Sequence, residues 1–205
     1  IIASEGAEIR KIKEIKPINI FRSPKGSLLV DMGQNMVGWI RLKVNAPKGT
    51  HITIRHAEVL DKYGEFYTAN LRSAKCQIDY TAGGTGDEIY EPRFTFMGFR
   101  YLEIKGFPGT LTADNITGIV VHSDMPVTGY YESSNPLLNQ LQHNIQWGQR
   151  GNFVDVPTDC PQRDERLGWT GDAQAFTRTA AFNFNVAAFF SKWLKDLSLD
   201  QKQDG

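Results

Sequence analysis

Residues 155–174 read D-V-P-T-D-C-P-Q-R-D-E-R-L-G-W-T-G-D-A-Q. Five carboxylates, two arginines and one tryptophan fall in this segment, which two prolines and two glycines interrupt. Prolines and glycines at this spacing are incompatible with a regular helix or a central strand, so the segment is predicted to be an ordered loop. Loops carried by rigid elements are where catalytic and binding side chains concentrate.

The composition of this loop suits carbohydrate chemistry. Carboxylates accept hydrogen bonds from sugar hydroxyls, and a tryptophan ring can stack on the apolar face of a sugar. Cleavage of a glycosidic bond needs one carboxyl group to protonate the leaving oxygen and a second one for water or the anomeric carbon. A surface loop of Asp–Arg ion pairs, with Trp169 filling the core beneath it, would have the same composition. Composition alone therefore leaves both interpretations open.

The order of the residues favours the first interpretation. The run 159–172, D-C-P-Q-R-D-E-R-L-G-W-T-G-D, closely resembles the signature of bacterial α-L-rhamnosidases, glycoside hydrolase family 78. The resemblance implies an inverting hydrolase whose (α/α)6-barrel catalytic domain follows β-sandwich domains. It implies Glu165 as the general acid. The residues that it implies for the rhamnose subsite are Asp159, Arg163, Trp169 and Asp172.

The general base is where the chain departs from the family pattern. In that family the base is a second glutamate far downstream in the barrel, and this sequence stops at Gly205 before any such position. We therefore expect a fragment that joins the end of the β-rich part to the opening helices of the barrel. Because inversion needs a second carboxylate about 6.5–9.5 Å from the acid, we expect the chain alone to be inactive.

An acid role sets conditions on the neighbours of Glu165. Its carboxyl group has to keep a proton, for which partial burial beside other carboxylates is the usual means. The guanidinium groups of Arg163 and Arg166 would oppose this if they paired with Glu165. We expect them to pair with Asp155 or Asp164 instead, and we expect those two aspartates to be structural.

Overall composition limits the class of partner. The 23 basic and 23 acidic residues give a formal charge of zero, which offers no electrostatic surface for nucleic acid or an anionic membrane. A neutral rhamnosylated glycoside or polysaccharide is compatible with that balance. Cys76 and Cys160 are far apart and the four histidines are scattered, so neither a disulfide framework nor a metal site is predicted, and no cofactor is implied. The compartment is left open.

The first two thirds of the chain carry β-strand signals. Residues 1–26 are predicted to be a linker or leading strand, and residues 27–132 an antiparallel, jelly-roll-like β-sandwich, because short alternating segments are separated by Gly and Pro turns. Turns are predicted at Gly33 and at residues 47–49, and residues 130–132 are predicted to close the strand series. The cluster 94–99 and Trp39 are predicted to lie in the sandwich core.

The hydrophobic period becomes helical near residue 134. Asn135 and Pro136 suit the start of a helix, which is predicted over about 135–150. Further helices are predicted over 171–182 and 186–199, so that residues 133–205 form the truncated beginning of the barrel. The inward side of the last helix is predicted to comprise Phe189, Phe190, Trp193, Leu194 and Leu197. Three helices cannot close a barrel, so their exposed apolar faces are expected to favour self-association.

Two other functions remain open at this point. Exposed aromatic residues on a β-sandwich can bind glycans, so the chain could be a non-catalytic glycan-binding module with a helical extension. Alternatively, the β part could scaffold the barrel and bind nothing. Protection by rhamnose at Asp159, Trp169 and Asp172 would favour the hydrolase, and protection confined to residues 27–132 would favour the binding module.

Overall fold

The computed structural model describes residue 3 and residues 5–202. The chain divides into two compact units. The sheet unit comprises residues 11–121 and 161–164, and the helical unit comprises residues up to 10, residues 122–160 and residues from 165 onward. Among the described residues, none of the helices combines the length and apolar character needed to cross a membrane.

One antiparallel sheet dominates the sheet unit. Its strands are β1 (Ile9–Ile15), β2 (Asn19–Arg22), β3 (Leu28–Asn45), β4 (His51–Ala57), β5 (Gln77–Thr81), β6 (Asp87–Tyr90), β7 (Met97–Lys105) and β8 (Ile116–Ser123). The strands follow the order β1-β8-β3-β7-β4-β5, and β2 and β6 also pair with β3. The long strand β3 therefore pairs with more strands than any other described strand.

Gly33 was predicted to make a turn, and this prediction is wrong because β3 continues through it. Gly33 has a φ of +75°, and the register between β3 and β7 shifts between Asp31 and Met36. The Oδ1 atom of Asp31 accepts a hydrogen bond of 2.7 Å from the Gly33 amide. A positive φ inside a strand is what an irregularity of the ladder needs, and glycine adopts it without steric cost. The turn at residues 47–49 is confirmed, since Thr50 N donates to Pro47 O at 3.1 Å.

The core of the sheet unit consists mainly of aliphatic side chains from the central strands. Its fully buried members include Leu29, Ile40, Leu42, Ile52, Ile54, Phe99, Leu102, Ile116 and Ile119. The aromatic cluster is only partly in this core: Phe99 is buried as predicted, whereas Phe94 is fully exposed and Trp39 is half-buried. The hydrophobic pattern thus predicted the strand cores but not the loop before β7.

Three helices and a short hairpin form the main elements of the helical unit. They are α1 (Pro136–Asn152), β9 (Phe153–Val154), β10 (Val156–Pro157), α2 (Thr170–Asn183) and α3 (Ala187–Asp200). The three predicted helices are confirmed, and Asn135 caps α1 by accepting a hydrogen bond of 2.9 Å from Leu137 N. Residues 130–132, by contrast, are not a strand.

The helices pack around an aromatic core. Its buried members are Met125, Phe153, Ala180, Phe184, Val186 and Phe189, and the rings of Phe153 and Phe189 stack at 4.5 Å. On α3, Trp193 is buried as predicted, but Leu194 is 58% exposed, so its predicted inward position is wrong. The exposed side of α1 carries Leu137, Leu138 and Leu141.

Candidate functional site

The loop between β10 and α2 is ordered by hydrogen bonds between its two ends. Thr158 N donates to Asn152 O at 2.8 Å, which ties the start of the loop to the end of α1. Asp159 and Leu167 bond twice: Asp159 N donates to Leu167 O at 3.1 Å, and Leu167 N donates to Asp159 Oδ1 at 3.1 Å. The Asp159 side chain therefore helps to close the loop.

Trp169 stands at the start of α2, where its carbonyl accepts a hydrogen bond of 3.2 Å from Ala173 N. Its indole Nε1 donates to Oε1 of Glu165 at 3.1 Å. The Trp169 side chain is 48% exposed, so it does not fill the core beneath the loop. Trp193 of α3 does so instead: it is buried, and its Nε1 lies 2.9 Å from where a Cβ on Gly168 would be.

Asp159, Cys160 and Glu165 converge within the helical unit. One potential ligand atom from each lies within 4.8 Å of the other two, and these three residues form the one such group found among residues 3 and 5–202. This group was not predicted, because Cys160 has no Cys or His at ligand spacing. Two carboxylates and a buried thiol fall short of the four ligands of a structural zinc site. What the group does establish is that Asp159 and Glu165 are close neighbours.

A cavity of about 380 Å³ lies between α1 and α2. Its lining residues are Ile145, Gly148, Gln149, Asn152, Phe153, Pro157, Thr158, Asp159, Asp172, Ala173, Ala175 and Phe176. Asp159 and Asp172 thus share one concave surface, whereas Glu165 and Trp169 lie outside its lining and are joined to it through Asp159. Asp172 sits in the first turn of α2, where the helix dipole favours a carboxylate.

Asp155 and Asp164 have structural partners, as expected, and their pairing with Arg163 or Arg166 stays a prediction. Asp155 accepts a hydrogen bond of 2.7 Å from Lys192 Nζ, and Asp164 accepts one of 3.3 Å from Ser73 N and lies 3.9 Å from Arg72 Nη1. The hydrogen bond from the Ser73 hydroxyl lowers the pKa of Asp164. These contacts give both aspartates a structural role.

Arg163 is half-buried in segment 161–164 of the sheet unit. Arg166 is in the helical unit and adopts a φ of +54°, which is uncommon for a residue with a side chain. The structure therefore brings together four of the five residues implied for the site, namely Glu165, Asp159, Trp169 and Asp172. The role of Arg163 stays a prediction.

A buried amide network between α1 and α2 was missed at the level of sequence. Asn183 Nδ2 donates to Gln149 Oε1 at 3.2 Å, and Gln142 Nε2 donates to Asn183 Oδ1 at 2.7 Å. Gln149 Nε2 in turn donates to Ala180 O at 3.2 Å. Gln149 also lines the cavity, so this network fixes one of its walls. The available signal was the seven-residue spacing of Gln142 and Gln149, which puts both on one helix face.

Comparison with known protein families gives two adjacent matches. Residues 21–122 match the bacterial alpha-L-rhamnosidase concanavalin-like domain, and residues 126–205 match the bacterial alpha-L-rhamnosidase 6 hairpin glycosidase domain. The loop and the helices that carry the candidate site fall within the second match.

Individual relatives agree with these matches. An alpha-L-rhamnosidase of Streptomyces avermitilis is 50% identical over 205 residues, which is 100% of this chain and 20% of that protein. The crystal structure of the S. avermitilis alpha-L-rhamnosidase complexed with L-rhamnose superposes with a TM-score of 0.96 at 50% identity over the same shares of the two chains. The native enzyme of Aspergillus terreus gives a TM-score of 0.92 at 49% identity, covering 95% of this chain and 23% of that one. The chain thus spans about a fifth of the length of the S. avermitilis protein.

Proposed function

The chain belongs to the bacterial α-L-rhamnosidase family, and from this premise we propose that it supplies the acid half of an inverting glycoside hydrolase that removes terminal α-L-rhamnose. Glu165 is the general acid in this proposal. Asp159, Arg163, Trp169 and Asp172 form the rhamnose subsite. The main support for this proposal is the hydrogen bond from Trp169 to Glu165. The carboxylate of Asp159 lies within 4.8 Å of that of Glu165, and Asp159 also lines the cavity.

The chemistry follows from what each group can do. Glu165 donates its proton to the glycosidic oxygen as the bond to the anomeric carbon breaks, and the Trp169 indole holds one of its carboxyl oxygens in place. Asp159 and Asp172 accept hydrogen bonds from the sugar hydroxyls. Water attacks from the opposite face of the ring, and inversion requires a second carboxylate there to take its proton.

We propose that the second carboxylate comes from outside residues 1–205. This chain alone would then bind the sugar but would not hydrolyse the glycosidic bond. The proposal includes a barrel of (α/α)6 type that begins near residue 133 and a jelly-roll-like sandwich over residues 27–132. The exposed leucines of α1 support a further element, self-association of the isolated chain through apolar helix faces, because contiguous exposed apolar surface favours association.

Binding of L-rhamnose to the chain tests the subsite. We expect titration with L-rhamnose to shift the NMR signal of the Trp169 indole N–H. Asp172→Asn and Asp159→Asn each remove an anionic acceptor, and we expect each to weaken binding by roughly tenfold, which corresponds to a lost hydrogen bond to a charged group. Asp164→Asn is the matched control in the same loop, because the Asp164 carboxylate is engaged by Ser73.

Two results would contradict the proposal. Shifts confined to residues 27–132 would support a glycan-binding sheet module instead of the hydrolase site. Equal weakening by Asp164→Asn and Asp172→Asn would mean that loop charge in general, and not the cavity carboxylate, governs binding.

A further inference from the structure

The sheet unit has a groove of its own. Its volume is about 910 Å³, which is near the upper end of the range of about 300–1,000 Å³ for small-molecule sites. The residues that line it are Lys11, Trp39, Ile89, Tyr90, Glu91, Pro92, Arg93 and Phe94. We call it the β6 groove, because Ile89 and Tyr90 belong to β6. All eight residues belong to the sheet unit, and none of them is implied for the rhamnose subsite.

The carboxylate of Glu91 fixes the polar part of the β6 groove. Its Oε2 atom accepts hydrogen bonds of 2.7 Å from Lys11 Nζ and 2.8 Å from Trp39 Nε1, and its Oε1 atom accepts one of 2.7 Å from Arg41 Nε. Burial raises the pKa of Glu91, but these hydrogen bonds outweigh burial and lower the pKa to about 2. Arg41 also donates to Glu14 at 2.8 Å. The two cations and two carboxylates of this network therefore balance each other, and the Trp39 indole is held in one orientation.

Arg93 gives the β6 groove one uncompensated positive charge. Its side chain is exposed, and it has no hydrogen-bond or ion-pair partner among residues 3 and 5–202. A guanidinium group presents five N–H donors in a planar fork, which can pair with both oxygens of a carboxylate. Because Lys11 is already paired with Glu91, an anionic group of a ligand would be held at Arg93.

Phe94 and Ile89 give the β6 groove an exposed apolar surface. Phe94 is fully exposed and adopts a φ of +57°, and Ile89 is 67% exposed. A positive φ is strained for phenylalanine, and an exposed ring gains nothing from burial that would offset the strain. An aromatic ring offers a flat apolar face on which the apolar face of a sugar ring can stack. Phe94 therefore suits ligand binding better than it suits the folding of the sheet unit.

We propose that the β6 groove binds an acidic saccharide, a short run of sugar acids whose rings pack on Phe94 and Ile89 while one carboxylate pairs with Arg93. The chain belongs to a family of glycoside hydrolases, which favours a saccharide as the class of ligand. A nucleic acid would need a row of cations along its phosphates, and the groove has a single uncompensated one. The inference does not rest on the proposed function, because it uses none of the residues around Glu165.

Two trisaccharides that differ only in charge test this inference: a linear D-galacturonate trimer and its fully methyl-esterified form. We expect the chain to bind the acid about threefold to tenfold more tightly than the ester, which is the value of one charge-assisted hydrogen-bonded pair at an exposed position. Added salt should reduce this preference, because it screens exposed charges. The measurement is NMR titration followed at the Trp39 indole N–H, which lies within the groove.

A pair of arginine variants links the preference to the groove. Arg93→Gln removes the charge and keeps a polar side chain, and we expect it to abolish the preference for the acid while leaving the affinity for the ester unchanged. Arg22→Gln is the matched control, because Arg22 is an exposed arginine of the sheet unit that does not line the groove. Arg22→Gln should leave both affinities unchanged.

A pair of aromatic variants tests the apolar part. Phe94→Ala removes the ring, and we expect it to weaken binding of the acid and of the ester alike, by about threefold to tenfold. Because the Phe94 ring is fully exposed, the variant should keep the thermal unfolding midpoint of the wild type. Tyr63→Ala is the control: it removes another exposed ring of the sheet unit, outside the groove, and should leave binding unchanged.

Several results would overturn the inference. Equal affinity for the acid and the ester, or no binding of the acid, would remove the anion from the proposal. Equal weakening by Arg93→Gln and Arg22→Gln would mean that the charge of the sheet unit in general governs binding. A lower thermal midpoint for Phe94→Ala would assign the ring a structural role.

Other occupants of the groove give results of their own, each of which contradicts a saccharide site. A triglutamate peptide that binds as tightly as the acidic trimer would assign the groove to anionic chains of any kind. Dimerisation of the chain that Phe94→Ala abolishes would assign the groove to a second copy. The titration with L-rhamnose followed at Trp169 is a separate measurement, so failure of the proposed function can be told apart from failure of this inference.

Discussion

The indole Nε1 of Trp169 donates a hydrogen bond of 3.1 Å to Oε1 of Glu165, four residues earlier in the chain. The Trp169 backbone is fixed at the start of α2, because its carbonyl accepts from Ala173 N. Glu165 lies in the loop that precedes α2. The hydrogen bond therefore restrains the carboxyl group of Glu165, the proposed proton donor, relative to the start of α2.

Leaving-group dependence tests the acid role of Glu165 in the longer protein that completes the site. Glu165→Gln cannot donate a proton, and we expect kcat on an alkyl α-L-rhamnoside to fall by about 10²–10⁴-fold, the usual worth of general acid catalysis. On a nitrophenyl α-L-rhamnoside, whose leaving group needs little protonation, the loss should be much smaller. An equal loss on both substrates, or a loss of less than tenfold on the alkyl glycoside, would contradict the assignment.

Trp169→Phe tests the orienting role of the indole. The variant keeps an aromatic ring but removes the N–H donor, and we expect an intermediate loss of kcat, about tenfold, as a misoriented acid becomes less efficient. The loss should again be larger on the alkyl glycoside than on the nitrophenyl glycoside. Trp147→Phe on α1 is the matched control, since Trp147 does not line the cavity and contacts Arg150 and His143.

Acidification should destabilise the sheet unit through His56. The imidazole is fully buried, with Nδ1 3.1 Å from Cys76 O and its ring edge-on to Phe99, and burial lowers the pKa of His56 from 6.5 to about 4. The unfolded chain takes up this proton near pH 6.5 and the folded chain only near pH 4. Stability is therefore fully present above pH 6.5 and is lost as the pH falls toward 4, by about 2 kcal/mol between pH 7 and pH 5.

Urea unfolding of the wild type and of His56→Gln at pH 7 and pH 5 measures this loss. Glutamine is neutral at both pH values, so we expect the variant to lose clearly less stability on acidification than the wild type. Burial also lowers the pKa of His122, so some pH dependence of the same sign should remain in the variant. Identical pH dependence in the two proteins would rule out His56 as the source.

Gly38 is expected to tolerate no side chain. A Cβ at this position of β3 would lie 1.8 Å from the carbonyl oxygen of Ile119 in β8, and its φ is +146°. We expect Gly38→Ala to lower the free energy of unfolding by about 4 kcal/mol or more, or to prevent folding, because the two strands would have to separate. Gly86→Ala is the control: φ is +96° there but no atom lies within 4 Å, so only backbone strain of about 1–2 kcal/mol should appear. Similar losses in both variants would show that strain, and not the contact, is responsible.

The stacked pair Phe153 and Phe189 should dominate the stability of the helical unit. Phe189 is 2% exposed, and we expect Phe189→Ala to cost about 3–5 kcal/mol, the range for a buried phenylalanine. Leu194→Ala on the same helix removes a side chain that is 58% exposed and should cost under about 0.5 kcal/mol. Thermal unfolding followed by near-ultraviolet circular dichroism measures both, and a similar cost for the two would contradict the packing described here.

Local signals predicted some elements well because the physics that forms them is local. Asn135 and Pro136 specify the start of α1 through a cap and a fixed φ, whatever packs against the helix. Gly33 shows the opposite case. A glycine with positive φ serves a turn or a strand irregularity equally well, and only pairing with β7 decided between them.

The candidate site also combines features that local sequence predicts with features that depend on tertiary packing. The order of residues around Glu165 was sufficient to predict a sugar-binding loop there. The cavity wall could not be predicted, because Ile145 and Phe176 lie on two helices whose packing brings them together. Leu194 was misplaced for a related reason: helical periodicity gives a face, but neighbouring helices decide how much of it is covered.

Residues 161–164 belong to the sheet unit, although they come well after its last strand, β8, which ends at Ser123. Pro161 and Gln162 lie so close to Gly98 that a Cβ there would come within 3.1 Å of both, and Cys76 Sγ donates to Gln162 O at 2.9 Å. During synthesis on the ribosome, every strand of the sheet emerges before this covering segment does. Strand β7 and the Cys76 thiol are therefore translated before the residues that cover them in the folded chain.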